Sequence, residues 1–168
     1  MQLISDAHRK RYKDYYKTAA IEPRINRWHT TVQILMHVLD AETLLDYGCG
    51  AVRSLEIYLP QFAVQSYDPG IPALSALPER ADLVICLDVL EHCEDETSVK
   101  EVLHHIRSLS KKGIFLTISC AESESKMLPD GTPWHSFVRP LSYWRGLLFD
   151  FAEIDGGDSR NQYIGVKY

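Results

Sequence analysis

The sequence predicts an α/β protein in which one doubly wound, mostly parallel sheet is covered by helices on both faces. Three observations predict it. Short apolar runs at 43–47, 62–68, 82–88 and 114–119 alternate with stretches of helical periodicity. The first run ends in Gly48-Cys49-Gly50, the turn chemistry needed where a strand gives way at once to a helix. The run 82–88 is almost continuously apolar, as a parallel strand buried on both faces should be.

Each element follows from local chemistry. Ser5 and Asp6 can cap a helix that runs to about residue 20, and Glu22-Pro23 can open a second, because proline suits a helix's first turn. In that second helix Trp28, Val32, Leu35 and Leu39 share one face, which calls for a sheet to pack against. A strand at 43–47 leads through the glycine turn into a helix at 51–59 that Pro60 stops. Residues 62–68 alternate as a second strand, broken by Pro69-Gly70. After the strand at 82–88, residues 96–110 form an amphipathic helix with Val99, Val102, Leu103, Ile106 and Leu109 inward, and Gly113 precedes the strand 114–119. A polar loop at 120–139, a helix at 141–149 and strands at 151–155 and 162–168 complete the chain, with Gly156-Gly157-Asp158 as an antiparallel hairpin turn.

Composition narrows the class. With 168 residues, 45% hydrophobic and 24% charged, the chain suits one domain, 1–168, with N-terminal helices over 1–40 and the sheet core over 41–168. The first ten residues hold no apolar stretch, and no later run approaches the ~18 residues of a membrane helix. A cytoplasmic protein without membrane contact is expected. Cys49, Cys86, Cys93 and Cys120 lack CxxC spacing and are read as free thiols. Of the net charge of −5, residues 1–27 carry +4, from seven basic and three acidic side chains, and the rest −9. The basic arm reads as a solvated helical face, with contact to a phosphate-bearing acceptor as the sharper reading. The acidic remainder argues against tracking along nucleic acid.

Ligands of such sheets sit beyond the carboxyl ends of the strands. That rule selects residues 47–50, Asp68 and residues 87–92. An aspartate ending the second strand is placed to accept hydrogen bonds from the vicinal hydroxyls of a ribose. The pair His104-His105 lies within a helix and faces two directions, and His92-Cys93-Glu94-Asp95 lacks the spacing of a zinc site, so no metal is expected.

Together the segments LLDYGCG, QSYDPG and ADLVICLDVLEH resemble the class I S-adenosylmethionine-dependent methyltransferases, in the branch with GCG and VLEH motifs that includes many small-molecule enzymes. The resemblance continues through KKGIFLTIS and through His135-Ser-Phe-Val-Arg-Pro140, which looks like that branch's H-x-x-x-x-P segment, and spans roughly residues 40–168. It implies a Rossmann-like sheet and S-adenosylmethionine as cofactor. By that resemblance Asp46, Gly48, Cys49 and Gly50 surround its methionine half, Asp68 holds its ribose, and Leu87 and Asp88 lie beside its amino end and sulfonium. The pair Glu91-His92 orders the loop after the strand or, through His92, takes part in catalysis.

Two departures accompany the match. Val52 stands where the family has a further glycine, and its branched Cβ narrows the space by the cofactor. Only fourteen positions separate Asp68 from Asp82, too few for a helix, a strand and another helix. The family's outer strand is therefore expected to be missing, with a loop at 71–79 in its place and Ile71, Leu74 and Leu77 left to cover the adenine.

Methyl transfer from a sulfonium is an in-line displacement, so posing the acceptor in a dry site supplies most of the rate. Where the acceptor starts protonated, His135, in the long loop that the resemblance places over the acceptor, is the first candidate base. Trp134, Tyr143 and Trp144 either wall an acceptor site or pack in the core. The function read here is methylation of oxygen or nitrogen on a small-molecule or small polar acceptor. No DPPY-like or NPPY-like segment of the DNA amino-methyltransferases follows the strand 82–88. The alternative is a degenerate methyltransferase fold serving as a non-catalytic binding or scaffold protein, motivated by Val52 and the shortened adenine side.

Overall fold

Side chains on a strand alternate between faces, so runs that are apolar at every position must be covered twice. The computed structural model, which describes residues 4–18, 28–121, 127–154 and 162–168, shows this arrangement. Its elements are α1 (Asp6–Thr18), α2 (His29–Val38), β1 (Thr43–Tyr47), α3 (Ser54–Tyr58), β2 (Ala63–Tyr67), β3 (Ala81–Leu87), α4 (Glu96–Leu109), β4 (Ser110–Ser119), α5 (Leu141–Leu147), β5 (Ala152–Glu153) and β6 (Gln162–Lys167). The six strands form one sheet in the order β2-β1-β3-β4-β6-β5. The pairings among β2, β1, β3 and β4 are parallel, and β6 joins β4 and β5 antiparallel.

Alternation sorts the strand residues into two cores. Leu45, Tyr47, Val84, Cys86, Ile114, Leu116 and Ile118 face α4 and α5, where Val99, Val102, Leu103, Ile106, Trp144 and Leu148 meet them. Leu44, Leu83, Ile85, Phe115, Ile164 and Val166 face the other way, onto Val32, Leu35 and Met36 of α2 and Leu55 and Leu59 of α3. The apolar stripe read on the second helix is thus the one that packs on the sheet. A reciprocal capping box starts α4: Asp95 Oδ1 accepts from the Ser98 amide, and Ser98 Oγ accepts from the Asp95 amide.

Several boundaries move for identifiable reasons. Helix α3 begins at Ser54 rather than 51, because Arg53 sits in the left-handed region (φ +52°) and cannot belong to it. Strand β4 begins at Ser110, because Ser110 pairs with Ala81 across a register shift before the regular ladder resumes at Gly113. Helix α5 ends at Leu147, and β5 keeps two residues. The start of the second helix at 22–23 and the turn at 156–158 lie outside the described residues.

The shortened edge is as the spacing requires. β2 is the outermost strand, and the chain returns to β3 through a 3₁₀ turn, Pro72–Leu74, and an extended loop. The loop is fastened to the edge by two bonds, from the Asp68 amide to the Leu74 carbonyl (3.0 Å) and from the Glu79 amide to Gln65 Oε1 (3.1 Å). Ile71 and Leu74 are half-buried there, but Leu77 is 69% exposed and does not take the covering part expected of it.

Trp144 has no exposed surface and stacks edge-on against Phe137 and Tyr143, whereas Phe149, five residues on, is 85% exposed. Trp144→Ala should therefore cost about 3–5 kcal/mol in urea unfolding, and Phe149→Ser should leave the midpoint where it was. Equal effects of the two would contradict the packing described.

Candidate functional site

Three strand ends meet at one rim. After β1 the chain turns through Gly48 (φ +79°) and Gly50 (φ +62°), both left-handed and so suited to glycine. The amides of Gly48 and Cys49 donate to the Tyr67 carbonyl at the end of β2 (2.7 and 3.1 Å). A Cβ on Gly48 would collide with the Val89 side chain, so this glycine also lets the turn press against the segment after β3.

Asp68 ties the turns together. Its Oδ2 accepts from the Gly50 amide (3.0 Å) and its Oδ1 from the Gly70 amide (2.8 Å). Burial raises its pKa, against those two bonds. Each oxygen keeps a further lone pair, so the carboxylate suits a pair of vicinal hydroxyls. Behind it lies the buried Asp46, whose carboxyl is pushed from 3.8 up to about 7 by burial first and by the charges of Asp68 and Glu56 second.

Asp88, at the end of β3, also has positive φ (+53°). Its Oδ1 accepts from Thr117 Oγ1 and Gln162 Nε2, both at 2.8 Å, while its amide donates to the Thr117 carbonyl. These bonds hold the strained residue against β4 and β6. A 3₁₀ turn, Leu90–His92, follows. In it Glu91 has no exposed surface; its Oε1 accepts from the Ser119 amide (2.9 Å) and its carbonyl from the Phe137 amide (2.9 Å). The loop-ordering role expected of this pair is therefore present. Burial, with Asp88 second, holds the Glu91 carboxyl well above the usual carboxylate range.

The rim encloses a cavity of about 150 Å³, lined by Tyr47, Gly48, Asp68, Pro69, Gly70, Asp88, Val89 and His92 from the sheet side. That is room for several waters, more than a packing defect. Its remaining wall comes from α1 and from Trp134. Ile4, His8, Tyr12 and Tyr16, spaced by four, line it. Tyr12 and Tyr15 lie against the Trp134 ring (centroids 5.3 and 4.3 Å), and Tyr12 donates to the Trp134 carbonyl (3.3 Å). Ser5 donates from Oγ and amide to Glu94 (2.7 and 3.1 Å), and Arg11 pairs with Asp130 (2.8 Å).

Of the residues singled out from sequence, Gly48, Asp68, Asp88 and His92 share this wall, while Asp46, Cys49, Gly50 and Leu87 stand behind or beside it. His135 lies next to His92 (ring centroids 5.0 Å), its Nδ1 donating to the Ala121 carbonyl (2.8 Å). Of the three aromatic candidates Trp134 faces the cavity, whereas Trp144 is core and Tyr143 packs beside it. His8, Tyr12 and Tyr16 were not anticipated. Their spacing by four was the available signal, and the many basic residues of the same helix drew attention to its solvated face.

No protein-family model and no curated protein sequence matches the chain. Solved structures do match. N-methyltransferase NodS of Bradyrhizobium japonicum, in complex with S-adenosyl-l-homocysteine, superposes with a TM-score of 0.61 over 94% of this chain and 97% of its own, at 14% identity. An S-adenosylmethionine-dependent methyltransferase of Clostridium acetobutylicum gives 0.63 over 91% and 94%, at 10% identity. The 1,6-didemethyltoxoflavin-N1-methyltransferase of Burkholderia thailandensis gives 0.55 over 92% and 80%, at 16% identity. The chain therefore has the Rossmann-like fold of S-adenosylmethionine-dependent methyltransferases, without the outer strand.

The Asp46 shift has a sign that can be checked. A carboxyl raised on folding adds stability that is complete below its unfolded value and lost as pH rises through about 7. Wild-type Tm should fall between pH 5 and pH 8, and Asp46→Asn should remove part of the fall, on the order of 5 °C. Parallel Tm curves for the two proteins would sink this account.

Proposed function

We propose that the chain is an S-adenosylmethionine-dependent methyltransferase acting on oxygen or nitrogen of a small-molecule or small polar acceptor. The observation that carries this is the position of Asp68: it lines a cavity at the carboxyl ends of parallel strands while each of its oxygens holds one backbone amide. The donor set suits the cofactor. Asp68 offers acceptor lone pairs to ribose hydroxyls, Gly48 and Gly50 bring backbone close, and Asp88 and the buried Asp46 supply negative charge toward a cationic end. Cys49 and Leu87 flank these groups. The cofactor supplies a methyl group on a sulfonium.

The protein's own part is to orient and to exclude water. Tyr12, Tyr16 and Trp134 close the cavity with aromatic surface. We assign the acceptor side to His92 and His135. Each ring bonds a carbonyl through Nδ1, His92 to Trp134 (2.7 Å) and His135 to Ala121 (2.8 Å), so the neutral ring carries its lone pair on Nε2. On His135 that lone pair can take a proton from an acceptor. The small-molecule reading draws on the 1,6-didemethyltoxoflavin named for one of the neighbours and on a cavity walled by α1.

Titration calorimetry with S-adenosylmethionine and S-adenosylhomocysteine tests the cofactor. Micromolar binding is expected, and Asp68→Ala, checked for native circular dichroism, should weaken it by ~1.5–3 kcal/mol, the loss of a charge-assisted bond. Failure of the wild type to bind either compound would favour the scaffold reading that Val52 motivates. With an acceptor in hand, His135→Asn should lower turnover by ~10²-fold and leave cofactor affinity unchanged; a variant as fast as wild type would remove His135 from the chemistry.

A further inference from the structure

The two oxygens of the Glu91 carboxyl are unequally served. Glu91 has no exposed surface, and its Oε2 has no hydrogen-bond partner among the described residues. No ion pair to it occurs among the described residues either. An ionised carboxylate in such a place is costly unless a cation meets it. Two imidazoles converge on it: one donor atom from each of Glu91, His92 and His135 lies within 4.8 Å of the others.

The far side of each group is already held. The two Nδ1–H groups bond main-chain carbonyls, and Glu91 Oε1 accepts a main-chain amide. Bonds of this kind fix the tautomer and direction of histidines that ligate metals. A histidine held only for packing has no need of an unpartnered carboxylate beside it.

We propose that Glu91, His92 and His135 bind one divalent transition-metal ion at the end of the cavity. Two nitrogens and one carboxylate oxygen favour Mn²⁺, Fe²⁺, Co²⁺ or Zn²⁺ over Ca²⁺ and Mg²⁺, which prefer oxygen ligands throughout. Bond lengths of about 2.0–2.2 Å require the three donors to draw closer than the 4.8 Å within which they stand. Three protein ligands leave positions open, and because His92 lines the cavity those positions are reached from it. Insofar as the chain is the methyltransferase proposed above, the ion would hold an oxygen of the acceptor and lower its pKa, the released proton passing to solvent water in the cavity, so that neither imidazole has to take it. Ion binding itself does not depend on that reading.

The sequence search missed this site because its ligands come from segments forty-three residues apart, whereas a spacing rule inspects one segment at a time. The test uses the full chain stripped with chelator and titrated with Mn²⁺ and with Co²⁺, followed by calorimetry and by the visible spectrum of Co²⁺. Zn²⁺ is avoided because thiolates compete for it. One ion per chain is expected, with affinity reduced at least 10-fold in both Glu91→Gln and His135→Ala. Asp68→Ala should bind the ion as wild type does, which separates this site from the cofactor's. His135→Ala, at a half-buried loop position, keeps the test usable if Glu91→Gln does not fold. Absence of binding to the wild type, or binding that His135→Ala leaves unchanged, overturns the proposal.

Discussion

Asp68 accepts one amide from the turn after β1 and one from the turn after β2, and the rest of the rim depends on this clamp. Each turn has backbone bonds of its own, from Gly48 and Cys49 to the Tyr67 carbonyl and from Ile71 to the Asp68 carbonyl, and the carboxylate adds a link between them. Gly50 lies in left-handed backbone, and the Pro69-Gly70 turn sits at a sheet edge with no outer strand beyond it. A carboxylate that satisfies both amides fixes the separation of the two strand ends. With that spacing set, Gly48 can press on Val89 and carry the constraint to the segment after β3. Asp88 carries it further, through Thr117 and Gln162 to β4 and β6. The ends of β2, β1, β3, β4 and β6 are thus linked in series, by polar contacts except where Gly48 meets Val89, while the apolar faces beneath hold the strands themselves.

Acidic groups are concentrated at this rim. Asp46, Asp68 and Glu91 are buried and each is raised by desolvation, and Asp88 and Glu94 lie close by. Two basic side chains of α1 are engaged elsewhere, Arg11 with Asp130 and Lys17 with Asp14. Carboxyls that burial holds toward their uncharged form ionise more readily once a cation arrives, so such a site favours ligands that bring positive charge. A sulfonium or ammonium meets that condition beside Asp46 and Asp88, and a divalent ion meets it beside Glu91. The two proposals therefore rest on one electrostatic property acting at two places.

The sheet was legible because its signals are local. Apolar runs, Gly48-Cys49-Gly50, Pro69-Gly70 and the short interval from Asp68 to Asp82 together specify the strands, the turn and the missing outer strand. Asp68 and Asp88 were legible because strand ends at the carboxyl side are where such sheets bind. The start of α3 was not, because a left-handed Arg53 leaves no trace in composition. Leu77 was assigned to a cover that it does not provide, since its hydrophobicity says nothing about which way a loop residue points. The convergence of Glu91 and His92 with His135 is tertiary: it depends on how the segment 127–139 returns to the end of β3, which no periodicity encodes.

The N-terminal helix has a different energetic standing from the sheet it covers. Strands β1, β3 and β4 are held by side chains with almost no exposed surface, on both faces. Helix α1 is held at its start by Ser5 and Glu94, midway by Arg11 with Asp130, and along one stripe by His8, Tyr12 and Tyr16. Elements attached by few buried contacts open at lower cost than the core. Undocking α1 would expose one wall of the cavity, including the side of Gly50 and Gly70 on which Tyr16 and Tyr12 lie. A ligand that fills the cavity touches that wall, binds the docked arrangement better than the undocked one, and so stabilises it by mass action.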